Sequence, residues 1–146
     1  MALGAEAYLG GWRLVSAHQV FADGERRDEF GAGADGYLVY TPDGVVTAVL
    51  GAMDRAAFAE PDPGQGTDEE YGSARRLIAY AGRWTLDAAT SEMTHHVEVS
   101  LFPGWQGQAQ VRRVALDGED LTIVASPRID GRGRRFHVEL RWRRPA

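Results

Sequence analysis

The chain has 146 residues, 44% of them hydrophobic, and a formal net charge of −5, so a single soluble globular domain with its own core is expected. It has no cysteine, which excludes disulfides, thiolate nucleophiles and thiolate metal sites and suits a reducing cytoplasm. All 16 basic residues are arginine, so Schiff-base chemistry on lysine is excluded as well.

The N-terminus lacks a basic segment followed by an apolar run, so no signal peptide is expected. No apolar stretch approaches the roughly 18–20 residues needed to span a bilayer. A cytoplasmic protein without a membrane partner is the expectation. Gly10 to Phe21 reads as a long strand in which Trp12, Leu14, Ser16, His18 and Val20 alternate with Arg13, Val15, Ala17, Gln19 and Phe21. A charged, glycine-rich loop runs on to about Asp35 and is either a hinge over a cavity mouth or a plain solvated connection. Tyr37–Thr41 and Val45–Ala52 then flank Thr41-Pro42-Asp43-Gly44, which suits a type I turn with a glycine bulge. That turn pairs Thr41 with Val45 and puts Leu38, Tyr40, Val46, Ala48 and Leu50 on one inward face.

Residues 53 to 66 are irregular. Thr67 is a good N-cap with Glu70 at the capping-box position, and Tyr71, Ala74, Leu77, Ile78 and Ala81 form an apolar stripe, so a helix is predicted from Thr67 to Gly82. The rest is β: Arg83–Asp87, Glu92–Phe102, Gly107–Leu116, Leu121–Ser126 and Arg134–Arg143. Their connections are Ala88–Ser91, Pro103–Gln106, Asp117–Asp120 and the glycine-rich Asp130–Gly133. Eight strands in sequential hairpins, with one helix between the third and fourth, imply a mainly β, antiparallel up-and-down barrel as a single domain over residues 1–146.

Gly10-Gly11-Trp12 is similar to the Gly-x-Trp signature of lipocalins. Gly36-Tyr37-Leu38-Val39-Tyr40-Thr41-Pro42-Asp43-Gly44 resembles a bacterial and fungal lipocalin-like domain family, as does Thr94–Trp105 followed by Gln110-Val111-Arg112. The resemblance covers nearly the whole chain. It implies a small calycin-type barrel that binds apolar or amphipathic molecules, with Arg141 or Arg143 packed on Trp12. It implies no one reaction, since related barrels have been recruited as cyclases and isomerases. The absence of cysteine and the early helix depart from secreted lipocalins.

The stretch from Trp84 to Ile123 carries an unusual polar set: His95, His96, Glu98, Ser100, Gln110 and Arg112. Across Pro103–Gln106 the simple register pairs Glu98 with Arg112 and Ser100 with Gln110, with His96 on the same face. The Asp117–Asp120 connection puts Arg112, Gln110 and Val114 on the face of Leu121 and Ile123, which is inward. The Ala88–Ser91 connection opposes this: it pairs Leu86 with Met93 and Trp84 with His95, and so places Trp84, Leu86, Met93, Val97 and Val99 opposite the polar residues. A β-bulge near His95–His96 would satisfy both hairpins. Alternatively the polar face is solvated and Glu98–Arg112 is a surface pair worth under about 1 kcal/mol. The family resemblance favours the inward reading.

On that reading Tyr40, Tyr80, His95, His96, Glu98, Ser100, Gln110 and Arg112 are the ligand-binding candidates. Arg112 is the polar anchor for a small hydrophobic or amphipathic molecule. If the barrel is an enzyme, Glu98 or His96 moves a proton and Arg112 steadies an oxyanion, in a cofactor-free cyclase or isomerase acting on a secondary-metabolite-like substrate. A third possibility is an interaction protein whose barrel is filled by its own aromatics. His137 has the wrong alternation for a haem ligand, and adjacent His95 and His96 point to opposite faces, so no metal or cofactor is expected. The seven arginines between Arg128 and Arg144 sit in an acidic chain, so no nucleic-acid partner is expected.

Overall fold

The computed structural model describes residues 3–146. In chain order the strands are β1 (Gly10–Phe21), β2 (Arg26–Asp28), β3 (Asp35–Tyr40), β4 (Val45–Gly51), β5 (Leu77–Asp87), β6 (Glu92–Ser100), β7 (Ala109–Asp117), β8 (Asp120–Ala125), β9 (Arg128–Ile129) and β10 (Arg135–Arg143), with helix α1 (Asp68–Ala74) between β4 and β5. The eight longer strands run β1-β3-β4-β5-β6-β7-β8-β10, and β10 pairs back with β1, which closes the barrel. All these pairings are antiparallel. The two short strands extend the sheet at the rim, β2 on the second half of β1 and β9 on the start of β10. Because β2 falls inside the stretch read as loop, α1 lies one strand later in the count than expected. Among the described residues no helix is long and apolar enough to cross a membrane.

The β3–β4 hairpin matches its sequence signal. Thr41 N–H donates to the Val45 carbonyl, Gly44 takes a positive φ of 88°, and Leu38, Tyr40, Val46, Ala48 and Leu50 are all buried. The helix is shorter than predicted, because residues 77–81 satisfy two patterns. Their apolar stripe fits a helical period, but Ile78, Tyr80, Trp84 and Leu86 also alternate as one strand face. The strand wins because β4 needs a partner: β5 supplies hydrogen bonds along the whole of Val45–Gly51, which a helix could not. What remains of the helix is held by its cap. Thr67 accepts from Glu70 N, and Glu70 accepts in return from Thr67 N and from Ala59 N. Thr67→Ala is expected to cost about 1 kcal/mol in denaturant unfolding.

Strand β1 carries a bulge between Leu14 and Ser16. It moves the inward face from Trp12 and Leu14 to Ala17 and Phe21, while Ser16 is only partly buried. One barrel end is sealed by Trp12, whose indole N–H donates to the Tyr8 carbonyl at 2.9 Å and whose ring lies 3.7 Å beneath the Arg144 guanidinium. The stacking arginine is therefore Arg144, not Arg141 or Arg143. Trp142 is buried, which turns both of its neighbours outward, and Arg144, just past the strand end, folds back to the Gly11 and Ala7 carbonyls. A smaller apolar cluster of Phe21, Phe136 and Val138 sits towards the other rim.

Candidate functional site

The register of β6 against β7 decides what faces the interior. Arg112 lies opposite Met93 and Gln110 opposite His95. The expected Glu98–Arg112 and Ser100–Gln110 pairs do not form; relative to them β6 is displaced by five residues, and an odd displacement exchanges the faces. The cause is the connection. Pro103–Trp105 winds into a 3-10 turn, and ladder bonding resumes where Val97 N–H donates to the Gln108 carbonyl, so the loop is longer than four residues. The Ala88–Ser91 register holds as read, with Trp84 opposite His95 and Leu86 opposite Met93. The Asp117–Asp120 hairpin holds too, with Val114 opposite Ile123. A bulge does occur in β6, but at Glu98, opposite the Ala81–Gly82 step, and not at His95–His96. Beyond it Val99 is turned out and is 66% exposed.

Gln110 and Arg112 therefore do point inward, and the histidine that joins them is His95. His95 is 2% exposed, between two tyrosines: the Tyr40 hydroxyl is 2.7 Å from Nε2 and the Tyr80 hydroxyl 2.6 Å from Nδ1. Strands β3, β5 and β6 supply these three side chains, and the Trp84 ring packs 4.9 Å from Tyr40. Burial, with the nearby positive charge of Arg112 and the neighbouring His96 ring, pushes the His95 pKa down to about 3, so the imidazole is neutral. Burial raises Tyr80 to about 12 and Tyr40 well above its ordinary value, so both remain phenols.

Tyr80 forms part of the wall of a cavity of about 340 Å³ that opens at the rim opposite Trp12. Leu50, Ile78, Val138 and Leu140 give it apolar walls, and Trp105 stands at 6.1 Å from Tyr80, edge to face. Glu29 and Phe30 reach it from the loop between β2 and β3, so that glycine-rich connection contributes to the cavity. The polar floor is Gln110 and Arg112. Arg112 donates to Gln110 Oε1 at 2.6 Å and to the Val111 carbonyl at 3.1 Å. No carboxylate pairs with it among the described residues, and burial lowers its pKa. Arg128, also on the wall, pairs with Glu29 at 3.6 Å, while Glu29 Oε2 is buried without a donor.

The other candidates lie elsewhere. Glu98 and His96 are exposed on the outer face, and the His96 ring contacts Thr85 Oγ1 at 3.3 Å. Ser100 sits opposite Tyr80, but its hydroxyl accepts from Phe102 N in the turn. Glu29, Ile78 and Arg128 were missed. Ile78 becomes visible once residues 77–87 are read as a strand opposite Leu50; nothing local marks the other two.

A closed antiparallel barrel, stacked shut at one end and open at the other into a cavity with a polar floor, is a calycin-type barrel. The chain belongs to the lipocalin-like domain family, whose family model matches residues 9–145. It is also similar to a 4'-hydroxy-3'-methoxypropiophenone carrier protein of Aspergillus oryzae, with 42% identity over 65 residues. That alignment takes in 40% of this chain and 59% of the fungal protein, so the chain spans less than two thirds of its relative.

Proposed function

We propose that the barrel binds a small amphipathic molecule with an apolar, aromatic body and holds it through Arg112. The observation that carries this reading is the cation itself. A half-buried arginine without a carboxylate is costly to keep, and here it lies on the floor of an otherwise largely apolar cavity. A ligand carbonyl, enolate or carboxylate would complete its hydrogen bonds. The cavity volume lies within the usual range for small-molecule sites. The fungal relative, named as a carrier of an aromatic ketone, supports the same class of ligand.

The test is titration of 4'-hydroxy-3'-methoxypropiophenone and related aromatic ketones and acids into wild type and Arg112→Met, followed by calorimetry. Wild type is expected to bind at one site, and the variant roughly tenfold or more weakly. The variant is also expected to be at least as stable as wild type in thermal unfolding, because it loses a charge that folding leaves unpaired. Failure of every compound in the panel to bind wild type would sink the reading.

A second reading, acid–base catalysis such as cyclisation or isomerisation in the same cavity, is favoured by the tyrosine–imidazole–tyrosine chain that ends at the cavity wall. In that case Tyr80 and His95 are better placed to move a proton than the exposed Glu98 and His96. Recovery of the titrated ligand unchanged after long incubation counts against it.

A further inference from the structure

The chain Tyr40–His95–Tyr80 has a direction. Two phenols and one neutral imidazole carry one proton each, and the chain contains two hydrogen bonds, so one proton is left over. If His95 carried its proton on Nε2, it would donate to the Tyr40 oxygen, and Tyr40 would be left holding its own O–H. Tyr40 is fully buried, and among the described residues its hydroxyl has His95 as its one hydrogen-bond partner. An unsatisfied O–H there costs about 1–3 kcal/mol. If His95 carries its proton on Nδ1 instead, Tyr40 donates to Nε2 and Nδ1–H donates to the Tyr80 oxygen. The spare proton then belongs to Tyr80, which lines the cavity and can direct it at an occupant.

Building on the proposed binding function, we infer that His95 is the Nδ1–H tautomer and that Tyr80 is a fixed hydrogen-bond donor to the cavity, which selects ligands carrying an aryl-conjugated carbonyl oxygen. Arg112 on the cavity floor is also donor-only, so both groups offer protons to an acceptor, while the free carboxylate oxygen of the lining, Glu29 Oε2, belongs to the Glu29–Arg128 pair. Gln110 could have supplied an acceptor, but its Oε1 is occupied by Arg112. A carbonyl oxygen has two lone pairs and no proton, and it matches that lining. The edge-on Trp105 and the aliphatic walls suit a flat ring behind it.

Two experiments decide this. Nitrogen-15 NMR of the wild-type histidine rings, without ligand, is expected to show His95 Nδ1 as the protonated nitrogen and Nε2 as the bare one; the reverse assignment overturns the inference. Propiophenone and n-propylbenzene are then titrated into wild type and Tyr80→Phe. Wild type is expected to prefer the ketone. The variant is expected to lose about three- to tenfold in ketone affinity and to bind the hydrocarbon as before. A ketone preference that survives in Tyr80→Phe overturns the donor role. Equal affinity of wild type for both compounds also overturns it, while leaving the barrel a binder of apolar bodies. Binding of neither compound overturns the inference, and if the ketones and acids of the calorimetric panel also fail to bind, the function it rests on falls with it.

Discussion

Acidification from pH 7 to pH 4 is expected to remove roughly 3 kcal/mol of folding stability through His95 alone. The folded-state pKa of about 3 lies below the ordinary value of 6.5, so the folded protein keeps the imidazole neutral while the unfolded chain takes up a proton. The unfolded state therefore binds more protons across that window, and stability falls as pH falls. The contribution is fully present above pH 6.5, declines by about 1.4 kcal/mol per pH unit below it, and is exhausted near pH 3. Carboxylates with lowered pKa values add their own losses at lower pH: Glu25 and Glu70 from their ordinary value of 4.5, and Asp35 and Asp120 from 3.8, so the upper part of the range belongs to the histidine. The slope between pH 6.5 and about pH 5.5 thus isolates the histidine. Urea unfolding of wild type and His95→Phe across this range checks it. The variant is expected to be less stable at neutral pH, since Tyr40 loses its partner, but to lack most of the slope. An equal slope in both proteins would refute the assignment.

Gly82→Ala is expected to destabilise the fold by about 3 kcal/mol. Gly82 stands where β5 meets the bulged part of β6. A methyl group there would penetrate the His96 carbonyl oxygen and come within 3.1 Å of Glu98 N. Both are backbone atoms in a paired strand, so the clash cannot be relieved by rotating a side chain. The strands must separate beside His95, and the Tyr80 contact should loosen with them. Gly72→Ala is the control, since nothing lies within 4 Å of its added carbon and it sits inside α1. There alanine is expected to gain about 0.5–1 kcal/mol. If chemical denaturation shows the two variants to be equally stable, the close approach at Gly82 is not a constraint on the fold.

Features set by a few adjacent residues were legible. Thr41-Pro42-Asp43-Gly44 specified its hairpin, Asp117–Asp120 its register, and Thr67 with Glu70 the helix start. The inward direction of Gln110 and Arg112 followed from the second of these. Residues 77–81 were misread because their apolar positions fit two periods, and only the unpaired edge of β4 chose between them. Arg144 was passed over because it lies beyond the last strand, where alternation no longer says which way a side chain turns.

The sequence by itself determined the barrel class, the family and the inventory of groups from which a polar site could be built. Only the tertiary structure decided which of those groups meet. Alternation along a strand is a local property and divides residues into two faces, but it does not name the inner one. That depends on how many residues the connections absorb and where bulges fall. The pairing of β6 with β5 sets Trp84 opposite His95 and so turns His95 inward and His96 and Glu98 outward, and the longer 3-10 connection at Pro103–Trp105 removes the competing register and brings Gln110 and Arg112 to the same face. Tyr40, Tyr80 and His95 then meet across neighbouring strands at separations of 55 and 15 residues, a junction that no spacing along the chain could display because the sheet creates it.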